Sequence, residues 1–226
     1  MGAYLWTWTR EAWIEEMVTK KLLLVLLAFL PIGTLAQWKV GAGCGPSLNF
    51  YDSQQQEWEY RNNSWGIAAG GFGQYNFKDY IGVRVEINWV QKNNYKYFSY
   101  YSQETGIKTI NNYLQMPIMA TGSIKFGKIG LFLNAGIYGA YWLSSSASSD
   151  MEIHESTRIN TDYNNRFDFG LVGGFGVEYL INKHIALQLE ARCYYSTVSA
   201  KKELDGIKNP QYNTAFVFQP SICYLF

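Results

Sequence analysis

Charge is scarce in this chain, and so are the residues most catalysis depends on. Only 16% of its 226 residues are charged and the net charge is +1, where soluble domains carry about a quarter charged residues. So even a balance offers no electrostatic footprint for nucleic acid, and none is expected as a partner. Histidine occurs twice, as His154 and His184. The first falls in a long polar segment and the second in a tight turn at the opposite end of the expected fold, so the two cannot share a site. His154 has Glu155 and Ser156 beside it, the residue types of an acyl-transfer triad. A loop rich in Ser and Glu supplies such neighbours by chance, and no enzyme is expected. The three cysteines, Cys44, Cys193 and Cys223, are odd in number and fall within strands, which argues against a disulfide framework. No metal and no cofactor are expected. Proline is rare, 5 residues against 21 glycines, a balance that suits closely packed strands.

Long apolar runs are missing as well. The one unbroken stretch, Leu22 to Leu30, falls short of the roughly 20 residues a membrane-spanning helix needs. It follows a basic segment, Met17-Val18-Thr19-Lys20-Lys21, and gives way to Pro31, Gly33 and the small-residue site Thr34-Leu35-Ala36. That is the pattern of a secretory signal peptide over residues 17–36, cut between Ala36 and Gln37. No cysteine follows the cut, so a lipid anchor is not expected. Residues 1–16 match nothing downstream and read as an upstream over-call or an extension, with Met17 as the start. The remaining residues, 37–226, form one domain.

What is present is alternation. Strands are expected near Lys39–Tyr51, Ser64–Phe77, Tyr80–Gln91, Asn112–Phe126, Ile129–Ser144, Phe167–Leu180, Ile185–Thr197 and Thr214–Phe226. Their connections alternate in length. Lys78-Asp79, Gly127-Lys128 and Asn182-Lys183-His184 are tight turns, whereas Asp52–Asn63, Lys92–Asn111, Ser145–Arg166 and Val198–Asn213 are long and polar. An even strand number with short turns at one end and long loops at the other is the plan of a bacterial outer-membrane barrel. Within strands, period two separates the faces. Ile81, Val83, Val85, Ile87 and Trp89 oppose Gly82, Arg84, Glu86 and Asn88; Leu187, Leu189 and Ala191 oppose Gln188, Glu190 and Arg192. The closing segment Phe218–Phe226 sets Phe218, Ile222, Tyr224 and Phe226 against Gln219, Ser221 and Cys223. The apolar faces carry no mid-strand charge, and a basic residue at the bilayer midplane there would cost about 2–4 kcal/mol. A soluble barrel would show the same alternation with its faces exchanged. The polar faces here are too poor in lysine for a water-facing surface. The apolar faces end in aromatics, with Trp65 and Trp89 toward the long loops and Tyr224 and Phe226 toward the turns, as girdles at two interfaces do. The expected fold is all-β: an eight-stranded, antiparallel, up-and-down transmembrane β-barrel.

Parity also predicts an inward-facing set of charges, Arg84, Glu86, Glu178, Glu190 and Arg192. An eight-stranded barrel has an interior that side chains can fill, so these groups must pair, and an ion-pair plug is the simplest expectation. The glycine clusters at Gly41–Gly45, Ala68–Gly73 and Gly170–Gly176 precede no helix pattern, so they are not nucleotide loops. They read as places where lumen side chains or neighbouring backbone crowd a strand.

The segment Tyr113-Leu114-Gln115-Met116-Pro117-Ile118-Met119 resembles the tyrosine–leucine–acidic or amide–apolar–proline–apolar motif of the PorT-like outer-membrane β-barrel family of Bacteroidetes. The Ala36-Gln37 junction, the loops rich in asparagine and tyrosine, and the terminal Phe226 are similar to that family too. The likeness implies the barrel fold and an outer-membrane location; the layout of short turns and long loops places the short turns and both mature termini on the periplasmic side. Gln115 stands where an acidic residue is frequent, which weakens any charge-dependent role there. Pro117 removes a ladder donor within a strand and should mark a bulge or a local break in pairing. Together these readings lead to a non-enzymatic barrel that displays long loops outside the cell in a structural or interaction role. Passage of a small solute, help with protein secretion and a lipid-directed rim enzyme are the alternatives. Expected partners are membrane lipid and lipopolysaccharide, the barrel-assembly machinery, and a protein of the envelope or the exterior.

Overall fold

A computed structural model of the chain describes residues 37–53, 59–62, 64–100, 103–149, 154–157, 164–200 and 211–226. The expected signal peptide, residues 17–36, and the segment 1–16 lie outside the described residues. The fold belongs to the second of the two units into which the chain divides, Gln37–Phe226. Its elements are β1 (Gln37–Ser53), β2 (Glu59–Asn62), β3 (Ser64–Lys78), β4 (Ile81–Gln91), β5 (Asn94–Tyr100), β6 (Gln103–Phe126), β7 (Ile129–Ser149), β8 (His154–Thr157), β9 (Phe167–Leu180), β10 (Ile185–Ser196) and β11 (Gln211–Leu225).

Eight of these strands close a ring. Each pairs antiparallel with its neighbours in the order β1, β3, β4, β6, β7, β9, β10, β11, and β11 returns to β1. Closure satisfies every strand on both sides and leaves no free edge within the ring, the condition for β-structure in lipid. The alternation in sequence becomes inside and outside. Ile87, Leu133, Leu171, Leu189 and Ile222 stand exposed on the outer wall, while Gln74, Arg84, Glu86, Gln115, Glu190 and Arg192 are buried within. A soluble protein has the reverse arrangement.

Three tight turns lie at one end. Gly127 takes φ +62° in the two-residue link between the Phe126 and Ile129 partners, where hairpin twist favours a left-handed residue. In the β9–β10 turn the Asn182 side-chain oxygen accepts from the N–H groups of His184 and Ile185, each at 2.8 Å, as asparagine does in turns. The β3–β4 turn falls on Asp79-Tyr80 rather than on Lys78-Asp79, because a register shift between Asn76 and Lys78 extends β3 by one residue.

The far end departs more from a plain loop plan. The segment expected as the loop Lys92–Asn111 contains β5 and the first part of β6, paired as a hairpin. β6 runs for 24 residues and β7 for 21, where about 9–11 residues suffice to span a bilayer. β2 pairs with β5 and β8 with β7, so the sheet continues past the ring as a rim. The polar composition that makes these segments read as loop does not prevent their backbones from pairing.

Proline interrupts the ladders without changing their register. Pairing of β4 with β6 skips Glu86 and Ile87 between Val85↔Ile118 and Asn88↔Gln115, where Pro117 and Met116 stand opposite, while Pro117 stays matched to Tyr138 of β7. The outcome is a local break and not a bulge. The β1–β11 ladder likewise stops after Gly43↔Ser221 and resumes at Ser47↔Val217. Pro46 and Pro220 lie in that gap, and each remains matched on its other side, to Ile67 and Leu189.

Candidate functional site: a charge-balanced lumen

The inward face of β10 supplies Gln188, Glu190, Arg192 and Tyr194, and that of β4 supplies Arg84, Glu86 and Asn88. Space for Arg192 and Glu190 comes partly from glycine on β9. A Cβ on Gly174 would meet Glu190 Oε1 at 2.9 Å and Arg192 Cγ at 3.3 Å, and one on Gly176 would meet the Phe132 ring at 2.3 Å. The G-L-V-G-G-F-G stretch is thus the room into which the opposite side chains fold.

Arg192 is the hub. Its Nη1 donates to Glu86 Oε2 at 2.6 Å and to the Tyr194 hydroxyl at 2.8 Å, and its Nη2 donates to Glu86 Oε1 at 3.1 Å. Nε and Nη2 also donate to the two oxygens of Glu190, at 3.0 and 2.5 Å. Arg84 lies beside the same carboxylates. Its Nε is 2.6 Å from Glu86 Oε1, but the N–H is not aimed along a hydrogen bond, so this is a charge contact. Nη1 lies 3.6 Å from Glu190 Oε2 and donates to Gln188 Oε1 at 3.2 Å. The Arg84 guanidinium also sits 3.5 Å from the centre of the Phe72 ring. Neutral amides complete the shell: Asn88 donates to Glu86 at 2.8 Å, Asn134 to Glu190 at 2.7 Å, and Thr121 to Asn134 at 2.8 Å.

Glu178 belongs to a neighbouring pair. It binds Lys39 across the barrel and accepts from Gln188 Nε2 at 2.6 Å, so Gln188 joins this pair to Arg84. A third group lies toward the long-loop end, where Lys92 binds Asp168. Asp168 also accepts from Ser196 Oγ at 2.5 Å and from the Tyr138 hydroxyl at 3.3 Å. Between the groups lies an apolar tier with Val90, Tyr113, Tyr138, Val172 and Val217, in which Tyr138 meets Tyr194 edge to face at 5.3 Å. Lys39, Arg84, Lys92 and Arg192 balance Glu86, Asp168, Glu178 and Glu190, and all are largely removed from water. Two hollows of about 10 Å³ flank this column. One lies by Lys39 and Gln74 at the turn end and one by Tyr51 and Asn213 at the other, each with room for about one water.

Of the residues predicted from sequence, Arg84, Glu86, Glu190 and Arg192 meet in one cluster, and Glu178 reaches it only through Gln188. Lys39, Lys92 and Asp168 were not among them, although parity could have found two. Trp38 and Val40 bracket Lys39 on the outer face, and Phe167 and Phe169 bracket Asp168. Lys92 lies past the end of β4, where strand parity no longer applies.

The segment Tyr113–Pro117 divides by face. Tyr113 enters the apolar tier and stacks on Trp142 at 5.7 Å, Leu114 and Met116 face outward, and Gln115 and Pro117 are buried. Gln115 is fully buried with neither amide atom hydrogen-bonded among the described residues, so it does not join the ion-pair cluster. Trp65 and Trp89 stand exposed toward the long-loop end, and Tyr224 and Phe226 toward the turns. Tyr224 stacks on His184 at 5.7 Å and meets Phe226 edge to face at 5.0 Å. His184 Nδ1 is 3.1 Å from the Leu225 carbonyl oxygen. His154 is on β8, matched to the far part of β7; its side chain and those of Glu155 and Ser156 lie outside the described residues. Cys44, Cys193 and Cys223 are free thiols.

Residues 33–198, well over half of the chain, match the family model of the outer membrane protein beta-barrel domain. Similar solved structures include E. coli outer membrane protein W (16% identity, TM-score 0.49, covering 86% of this chain and all of that one). OprG from Pseudomonas aeruginosa (13%, 0.48, 85% and 96%) and Ail of Yersinia pestis (13%, 0.44, 85% and 100%) are similar too. No curated protein matches. The closed antiparallel ring, its apolar outer wall and the family match agree: this chain belongs to the outer membrane protein beta-barrel domain family.

Proposed function

We propose that this protein is a non-enzymatic outer-membrane barrel whose interior is sealed and whose work is done by the rim beyond the membrane. The observation that carries the proposal is the lumen. Four cations and four carboxylates in three paired groups, with an apolar tier among them, fill it, which leaves the outer ends as the surfaces free to act. Long strands support the same reading. β6 and β7 rise well past the length a bilayer requires, and they carry β5, rich in tyrosine, as a hairpin. Tyrosine supplies broad amphipathic contact with few rotors, as recognition surfaces need.

The partner is inferred to be a protein of the envelope or the exterior. The same proposal includes export through the signal at residues 17–36, periplasmic placement of both mature ends beside the short turns, and a PorT-like affiliation read from Tyr113–Met119.

Planar-bilayer recordings of the purified barrel should show no steady conductance; stable ohmic channels of porin size would rule out the seal and favour solute passage. Deleting the hairpin 94–109 while keeping Lys92 should leave a folded barrel that has lost its cross-linked partner in native membranes. Unchanged cross-linking would remove the rim from the interaction.

A further inference from the structure

The two ends of the barrel differ in charge as well as in length. The tight-turn end exposes Lys78, Lys125, Lys128 and Lys183 against Asp79 alone among the described residues. None of the four lysines forms an ion pair among the described residues. By contrast, segments 52–63, 93–111, 145–166 and 198–213 together carry eight basic and ten acidic residues, and the interior is neutral. The excess positive charge of the domain is therefore concentrated on the turns.

The depth of these lysines decides what they meet. Three of them are interleaved with outward-facing apolar residues of the barrel wall. Lys78 lies between Phe77 and Tyr80, Lys128 follows Phe126 and Lys183 follows Ile181, while Lys125, matched to Gly130, is on the inward face of β6 and borders the turn-end hollow. Phe77, Tyr80, Phe126 and Ile181 are 49%, 58%, 63% and 47% exposed. Aromatic rings on a membrane wall settle at the headgroup level, and a lysine stem can lie along such a surface while its ammonium stays in the polar zone. Lys78 Nζ is 5.9 Å from the centre of the Tyr80 ring, so the cation and the interfacial ring share one level. A soluble acidic protein would have to reach these ammonium groups past the lipid that the same rings touch. Headgroups already lie beside them.

We propose that the turn end is a binding surface for anionic glycerophospholipid headgroups, which Lys78, Lys128 and Lys183 engage in the leaflet where the turns sit, with Lys125 adding positive charge at the barrel mouth. Lysine suits this role because its compact ammonium is a strong phosphate partner and needs no fixed geometry. The surface would enrich anionic lipid around one rim and set the height of the barrel in the bilayer.

The test uses the purified barrel in vesicles of phosphatidylcholine with increasing brominated phosphatidylglycerol, compared with brominated phosphatidylcholine. Trp38 is 44% exposed on the outer wall and pairs with Tyr75 near the turns, so its fluorescence reports on this rim; a variant with the other barrel tryptophans changed to phenylalanine isolates it. At low salt, quenching should reveal a preference of about fivefold for the anionic lipid at a site that engages one lysine. The preference should fall toward unity in 0.5 M salt, a concentration that shortens the screening length to a few ångströms. It should also vanish in K78Q/K125Q/K128Q/K183Q, whose unchanged heat-modifiable migration on gels would show that it still folds. Equal quenching by both lipids in the parent, or a preference that persists in the quadruple variant, would overturn the proposal. So would equal quenching together with loss of a cross-linked acidic protein in the quadruple variant, which would assign the lysines to a protein partner.

Discussion

Replacing Arg192 with methionine should destabilise the barrel by about 3–5 kcal/mol, the cost of removing one partner from a buried ionic cluster. Arg192 alone makes five hydrogen bonds to Glu86, Glu190 and Tyr194. Without it, Arg84 faces both carboxylates by itself, and the Tyr194 hydroxyl loses its donor. All four charged groups are at most 2% exposed, so solvent screening gives little relief. The double variant E86M/R192M should recover most of the loss. It removes one charge of each sign and leaves Arg84 with Glu190, which already stand 3.6 Å apart. Denaturant unfolding in lipid vesicles, followed by tryptophan fluorescence, gives both values. If R192M unfolds at the parent's midpoint, or the double variant is no more stable than the single one, the cluster is not what holds the lumen closed.

Gly45→Val should have the other large effect, and it acts on the seam and not on charge. A Cβ at Gly45 would lie 1.8 Å from the backbone oxygen of Phe218 on β11. That oxygen cannot rotate away as the end of a flexible side chain could. The first and last strands must therefore move apart, at the point where Pro46 and Pro220 have already interrupted their ladder. Overpacking costs about 1–3 kcal/mol where side chains can adjust, and a backbone collision at a closing seam should exceed that. The variant is expected to remain largely in the slow-migrating, unclosed form on unheated gels. Gly73→Val is the matched control, since a Cβ there meets nothing within 4 Å and a valine would extend the apolar outer wall. Normal folding of Gly45→Val would show that the seam can widen freely.

Strand parity alone determined which way most side chains face, because a residue's side of a sheet depends only on its position along the strand. That is why the outer wall of Ile87 and Leu189 and the inward turn of Arg84, Glu86, Glu178, Glu190 and Arg192 were legible in the sequence, while the ring's strand number of eight followed from the alternation of short turns and long polar connections. Parity says nothing about height, and height decides partners. Glu86 meets Arg192 at a separation of 106 residues and Lys39 meets Glu178 at 139, because ring closure and strand stagger bring those levels together across the lumen. The rim was hidden as well, because the polar composition of residues 92–111 reads as loop but does not prevent their backbones from pairing. Gly45 and Gly174 could be recognised as crowded but not by what: the neighbour is the Phe218 carbonyl in one case and the Glu190–Arg192 pair in the other. Both neighbours are set by which strands become adjacent when the sheet closes on itself, and that adjacency is a property of the closed ring and of no single segment.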